Sequence, residues 1–131
     1  MAIESNFLAQ TENGKLYFPP TYEQDGFIHA TGDPSLLLEV GNHFYKTSVG
    51  EWTCLKLDPS SFGDSVVKYE APAPVGNTES FDYKEDAIKF PHIYGGIGLS
   101  SVISFHKIIR AEDGTFLSIH GIECINKKVD I

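Results

Sequence analysis

Cysteine is scarce in this chain of 131 residues: Cys54 and Cys124 are the only two, and their spacing fits neither a disulfide framework nor a zinc site. Unpaired thiols and a reducing compartment, the cytosol, are therefore expected. The start, MAIESNFLAQ, lacks the basic residues and apolar run of a secretory signal. No stretch approaches the ~18 apolar residues of a membrane span, so no membrane partner is expected. Basic residues are also few, 10 Lys and Arg against 18 Asp and Glu, for a formal net charge of −8. Nucleic-acid affinity rests largely on cations that neutralise phosphates, so no nucleic-acid partner is expected either. The glycine-rich signatures of Rossmann and P-loop nucleotide sites are missing. No repeat, heptad or low-complexity tract is present.

What the chain does have is an ordinary globular balance: 41% hydrophobic, 12% aromatic and 21% charged. At this length it buries about two-thirds of its unfolded surface without staples. One domain over 1–131 is expected, with 123–131 a polar tail that frays.

Residues 5–11 read as a short helix with Phe7 and Leu8 as its apolar face and Asn13-Gly14 as its stop. Tyr17-Phe18-Pro19-Pro20 reads as extended chain, because proline is excluded from helix interiors and central strands. Asp33 suits an N-cap and Pro34 the first helical position, so a helix over 34–46 is predicted, with Leu37, Val40, Gly41 and Phe44 as its buried stripe. Tyr45 lies beside that stripe, as an edge of a pocket or as core. Strands are predicted over 52–57 and 66–70, ended by Asp58-Pro59 and by the proline-rich 71–75. Residues 76–89 are acidic and read as a loop long enough to serve as a flap. A hairpin is predicted from 101–110 and 115–121 around Glu112-Asp113-Gly114. His106 and His120 lie on it with no acid motif nearby and read as structural or exposed. The fold class is α+β.

The stretch that organises the chain is DGFIHAT, residues 25–31. Asp25-Gly26 reads as a turn and the following residues as a strand. Alternation then puts Phe27, His29 and Thr31 on one face and Ile28 and Ala30 on the other. A second histidine sits in Phe90-Pro91-His92-Ile93-Tyr94-Gly95-Gly96. Each imidazole lies in an apolar stretch, where a polar ring is costly unless it meets a partner or a ligand. Two separately satisfied core histidines would explain the same residues. The sharper expectation is that His29 and His92 converge on one cleft with Thr31, Glu70 and Tyr94.

GFIHAT, Asn42-His43-Phe44-Tyr45, Tyr69-Glu70 and FPHIYG together resemble the DUF952 family over residues 17–94. The resemblance implies an α+β fold built on a split, twisted, mostly antiparallel sheet with a few packed helices. That fold is similar to ADP-ribosyltransferases and RNA 2′-phosphotransferases, which handle NAD. It also matches His29 to a first-strand histidine that contacts the NAD ribose. Members usually begin with a short strand before the N-terminal helix, whereas almost nothing here precedes Ile3.

Chemistry on NAD needs a grip on ribose hydroxyls, an aromatic wall, donors for the pyrophosphate and a carboxylate. His29 and Thr31 can supply the grip, Tyr45 or Tyr94 the wall, Gly95 and Gly96 close backbone approach to an anion, and Glu70 the carboxylate. Three readings follow. The first is an enzyme using NAD or handling ADP-ribose, with His29, Glu70 and His92 catalytic. The second is a non-catalytic module that senses a small phosphorylated metabolite. The third is a metal site of two imidazoles, His29 and His92, with the Glu70 carboxylate. A small-molecule ligand is expected in each of the first two, and no resident cofactor is implied beyond NAD as a substrate.

Overall fold

Strand β3 (Trp52–Leu57) carries apolar side chains on both faces, so it has to be covered twice. Trp52 and Cys54 enter a cluster with Leu37, Ile108, Phe116 and Ile119, while Leu55 and Leu57 pack against a second cluster built on Phe7, Ile28 and Ile93. The computed structural model describes residues 1–80 and 88–123. In it β3 belongs to a four-stranded sheet ordered β1 (Ala2–Ile3), β3, β6 (Val102–Arg110), β7 (Phe116–Ile119). A three-stranded sheet ordered β2 (Ile28–His29), β5 (Phe90–Tyr94), β4 (Val66–Glu70) covers one face of it. Helix α3 (Leu37–Tyr45) covers the other. All strand pairings are antiparallel. The α+β class and the divided, antiparallel sheet agree with expectation.

The N-terminus carries a short strand ahead of its helix, although almost nothing precedes Ile3. Ala2 pairs with Thr53 and Ile3 with Trp52 before helix α1 (Glu4–Gln10) begins. β1 reaches only Trp52 and Thr53, and the outer edge of β3 from Cys54 onward has no strand beside it among the described residues. In α1 only Phe7 is buried; Leu8, expected on the same face, is 45% exposed. Two adjacent residues are 100° apart on a helix, and this one is too short to bury both. The expected turn at Asp25-Gly26 is instead the end of a one-turn helix, α2 (Tyr22–Asp25), closed by Gly26 at φ 84°. Only glycine adopts that left-handed cap without strain.

The predicted helix over 34–46 starts as a 3₁₀ turn, Pro34–Leu36, with the Asp33 carboxylate accepting from the Ser35 N–H at 2.9 Å, and turns α-helical at Leu37. Its stripe divides. Leu37 and Gly41 are buried against the β6–β7 hairpin, whereas Val40 and Phe44 are half-buried and line a cleft. Arg110 ties the end of α3 to that hairpin by donating to the carbonyls of Lys46, Ser48, Gly50 and Gly114. The strands over 52–57 and 66–70 stand where expected. Cys54 is a free, buried thiol, and Cys124 lies outside the described residues, as do the tail beyond 123 and residues 81–87 of the acidic loop.

Candidate functional site

The site is built by strand register. In the β2–β5 ladder His29 lies opposite His92 and Ile28 opposite Ile93. Directly opposed residues share a face. Ile28 and Ile93, 7% and 2% exposed, point into the core, so the two histidines stand side by side on the other face with ring centroids 5.5 Å apart. In the β4–β5 ladder Lys68 lies opposite His92 and Glu70 opposite Phe90, which brings the Glu70 carboxylate onto the histidine face. Phe27 stacks on the His92 ring at 4.1 Å and 19°, and also meets His29 and Tyr94 at 4.7 and 5.4 Å.

Each imidazole is held by an acid. The Glu70 Oε1 accepts from His92 Nδ1 at 3.0 Å and, at short range, from the Tyr94 hydroxyl. The Asp25 Oδ2 accepts from His29 Nε2 at 2.8 Å, and both Asp25 oxygens accept from the Gly76 N–H at 3.1 Å. A carboxylate only accepts, so the ring protons are drawn to His29 Nε2 and His92 Nδ1. The nitrogens left over, His29 Nδ1 and His92 Nε2, have no hydrogen-bond partner among the described residues. In neutral rings both are acceptors.

The electrostatics follow burial and these contacts. Burial holds the His29 imidazole below the usual histidine value, against the opposing pull of Asp25. The Tyr94 hydroxyl first, and His92 next, hold the Glu70 carboxyl below the usual carboxylate range, and the same bond raises the Tyr94 phenol. Desolvation raises Tyr45, pushes Tyr17 up to about 12 and raises the Cys54 thiol, which makes it a poor nucleophile.

A cleft of about 580 Å³ is lined by residues of both sheets and of α3. Its lining includes His29, Thr31 and His92, together with Ile28, Ala30 and Ile93 from the opposite strand face, Tyr17, Phe44 and Tyr45, and Cys54 to Leu57 of β3. Tyr45 is backed by Trp52 at 4.2 Å and 26°. Val75, with Pro72 and Ala73, forms a further wall. Asp25, Glu70, Phe27 and Tyr94 are not on the lining; the acids stand behind the imidazoles they hold.

The structure thus brings His29, Thr31, His92 and Tyr45 to one cleft, with Glu70 and Tyr94 one step removed. It does not bear out Gly95 and Gly96 as an anion cradle. The Gly95 N–H donates to the Tyr22 hydroxyl at 2.9 Å, and an added Cβ there would meet Ser65 Oγ at 2.3 Å. A Cβ on Gly96 would meet Leu16 and Phe18 at 2.7 Å. Both glycines serve packing of this chain against itself. Tyr94, expected as an aromatic wall, is not on the lining; its hydroxyl is tied to Glu70 and Lys68 lies 5.0 Å over its ring. For the metal reading, no group of three or more His, Cys, Asp or Glu among the described residues is placed to hold an ion. Glu70 accepts from His92 instead of pointing with it at a common centre.

Sequence reasoning missed Asp25 and undervalued Phe27. The signal for Asp25 was its position four residues before His29, which the Asp-Gly pair disguised as a simple turn. His106 donates from Nδ1 to the His120 carbonyl at 2.8 Å and meets Ser104 Oγ at 2.7 Å, while His120 is exposed. Both agree with the structural reading. No helix among the described residues is long and apolar enough to cross a membrane.

The model of the family described as protein of unknown function (DUF952) matches residues 2–105. Neither a curated protein nor a solved structure matches the chain.

Proposed function

The chain belongs to the DUF952 family, and from that premise we propose that the cleft binds a ribose-bearing nucleotide of the NAD and ADP-ribose class. The observation that carries this reading is the pair of acid-held imidazoles at adjacent ladder positions, each with one nitrogen left for a ligand. Two neighbouring acceptors complement two neighbouring donors, and the vicinal hydroxyls of a ribose are such donors. Thr31, on the same wall, adds a third polar contact. Tyr45, rigid against Trp52, offers a ring face on which a planar base stacks. The volume lies within the range of small-molecule sites, ~300–1,000 Å³.

For transfer or hydrolysis of ADP-ribose, His92 Nε2 is the group that takes a proton from a hydroxyl. Glu70 then acts through His92, stabilising the imidazolium as it forms. Substrate orientation falls to His29 and Thr31. A non-catalytic sensor of the same ligands is the second reading. It is favoured by the commitment of Glu70 to Tyr94 and His92, which leaves Glu70 off the lining where an oxocarbenium ion would form.

Melting-temperature titration with NAD, ADP-ribose and divalent metals tests binding, because a ligand of the native state raises stability by mass action. A rise with ADP-ribose that is lost in His29→Ala and His92→Ala is the expected result. No rise with either nucleotide refutes the reading. Chromatography of NAD incubated with the protein then separates turnover from binding alone.

A further inference from the structure

The carboxylate of Asp25 has two duties that come from distant parts of the chain. Its Oδ2 accepts the His29 Nε2–H at 2.8 Å, and both oxygens accept the Gly76 N–H at 3.1 Å, across 51 residues of sequence. The adjacent Gln24 completes the grip on the same peptide, donating to the Gly76 carbonyl at 3.0 Å and to Asn77 Oδ1 at 2.9 Å. Gly76 sits at φ 56°, closed into a tight turn by reciprocal backbone bonds between Val75 and Thr78 at 3.0 and 2.9 Å. Val75, 7% exposed, and its neighbours Pro72 and Ala73 form a wall of the cleft. The Asp25 side chain is itself only 6% exposed, so water does not substitute for either partner.

We propose that Asp25 is the positioning residue of this site, holding the proton of His29 on Nε2 so that Nδ1 faces the ligand as an acceptor, and fastening the 71–80 wall through the Gly76 amide. One carboxylate does both because each partner is a donor and a carboxylate accepts at both oxygens. An amide of the same shape does so only with a donor set against a donor. With its oxygen toward His29, an asparagine keeps that oxygen's bond to Gly76 but sets its NH₂ against the same N–H in place of the second acceptor. With its NH₂ toward His29, it donates to Nε2 and moves the ring proton to Nδ1, the atom meant to accept from the ligand. Asp25 touches no ligand itself and acts through His29 and Gly76. Only the ligand arm of the test rests on the nucleotide reading above.

The experiment is nitrogen NMR of the His29 ring together with amide hydrogen exchange at Gly76, in the wild type, Asp25→Asn and Gln24→Ala, at a pH where the imidazole is neutral. In the wild type His29 is expected as the Nε2–H tautomer with a protected Gly76 amide. Asp25→Asn is expected to give the Nδ1–H tautomer or a mixture, or to speed Gly76 exchange about tenfold or more, the size of one charge-assisted hydrogen bond. ADP-ribose affinity falls with it. Gln24→Ala is expected to speed Gly76 exchange while leaving the His29 tautomer as it was. A wild-type ring protonated on Nδ1 overturns the proposal even if Asp25→Asn does not fold. So does an Asp25→Asn protein with unchanged tautomer and unchanged Gly76 protection. Absence of ADP-ribose binding by the wild type overturns the nucleotide reading alone, because the tautomer and exchange measurements need no ligand.

Discussion

Gly41 stands inside α3, where alanine is normally the better residue by about 1 kcal/mol. Here Gly41→Ala is expected to destabilise. A Cβ built on Gly41 would lie 2.3 Å from Phe116 Cδ2, 2.8 Å from its Cε2 and 3.3 Å from Met1 Sδ. Carbon atoms sit comfortably near ~3.5–4.0 Å, so the ring has to retreat by more than ~1 Å. It has little room: Phe116 is 2% exposed, Trp52 is 6.3 Å away ring to ring, and the Arg110 guanidinium lies 5.0 Å over its face. The backbone of Phe116 is pinned as well, its N–H donating to Asn42 Oδ1 at 2.6 Å and its carbonyl accepting from Asn42 Nδ2 at 3.0 Å. Overpacking of a filled core costs roughly 1–3 kcal/mol, and this geometry places the cost toward the upper end. Against the helix gain, a net loss of about 1–2 kcal/mol is expected, read as a lower urea midpoint with unchanged slope. In a Phe116→Leu background the same substitution should cost at least ~1 kcal/mol less, a coupling expected only of residues in contact. A Gly41→Ala protein as stable as the wild type, or more so, would falsify the packing argument.

Three further outcomes are expected. Phe44→Ala should cost about 1–2 kcal/mol, less than the ~3–5 of a fully buried phenylalanine, because Phe44 is half-buried on the cleft; a larger loss in urea unfolding would mean that it is core. Cys54, buried with a raised thiol pKa, should resist a thiol reagent in the native protein and react once unfolded, and prompt native labelling would contradict its burial. Stability should fall at both ends of the pH scale. The His29 value is lowered on folding, so below about 6.5 the unfolded chain binds the extra proton first and acidification destabilises until the folded value is passed. Tyr17 is raised to about 12, so from about 10 to 12 the unfolded chain loses its proton first and on the order of 2–3 kcal/mol is lost as pH rises. Urea midpoints flat across both windows would show that neither group is desolvated.

Much of the scaffold was legible because local chemistry and tertiary packing agree there. Asp33 and Pro34 announce a helix start, and the Asp33 carboxylate does cap. Asp113-Gly114 announces a hairpin, and Gly114 turns at φ 93°. The pairing of His29 with His92 was legible from the cost of a polar ring in an apolar strand, a constraint that holds whatever the topology. What failed was long-range. Gly95 and Gly96 look permissive in sequence, but Ser65, Leu16 and Phe18 fill the space above them. The stripe on α3 divides because the cleft, not the sheet, lies against Val40 and Phe44. Asp25 escaped notice because its partners are a ring one helical turn on and an amide at Gly76, and only the fold brings that amide near.

Strand β1 pairs with Trp52 and Thr53 alone, and Cys54 to Leu57, beyond that pairing, are among the residues that line the cleft. Mutation rewrites side chains, but it leaves peptide groups in place except where proline enters. Where the unpaired edge of β3 meets a ligand, its peptide groups are a feature that substitution barely alters. The side chains of His29, Thr31 and Tyr45 on the lining are free to change residue by residue. Divergence in ligand preference is therefore steered to the side chains, while the peptide groups of that edge stay as they are for as long as the strand itself persists.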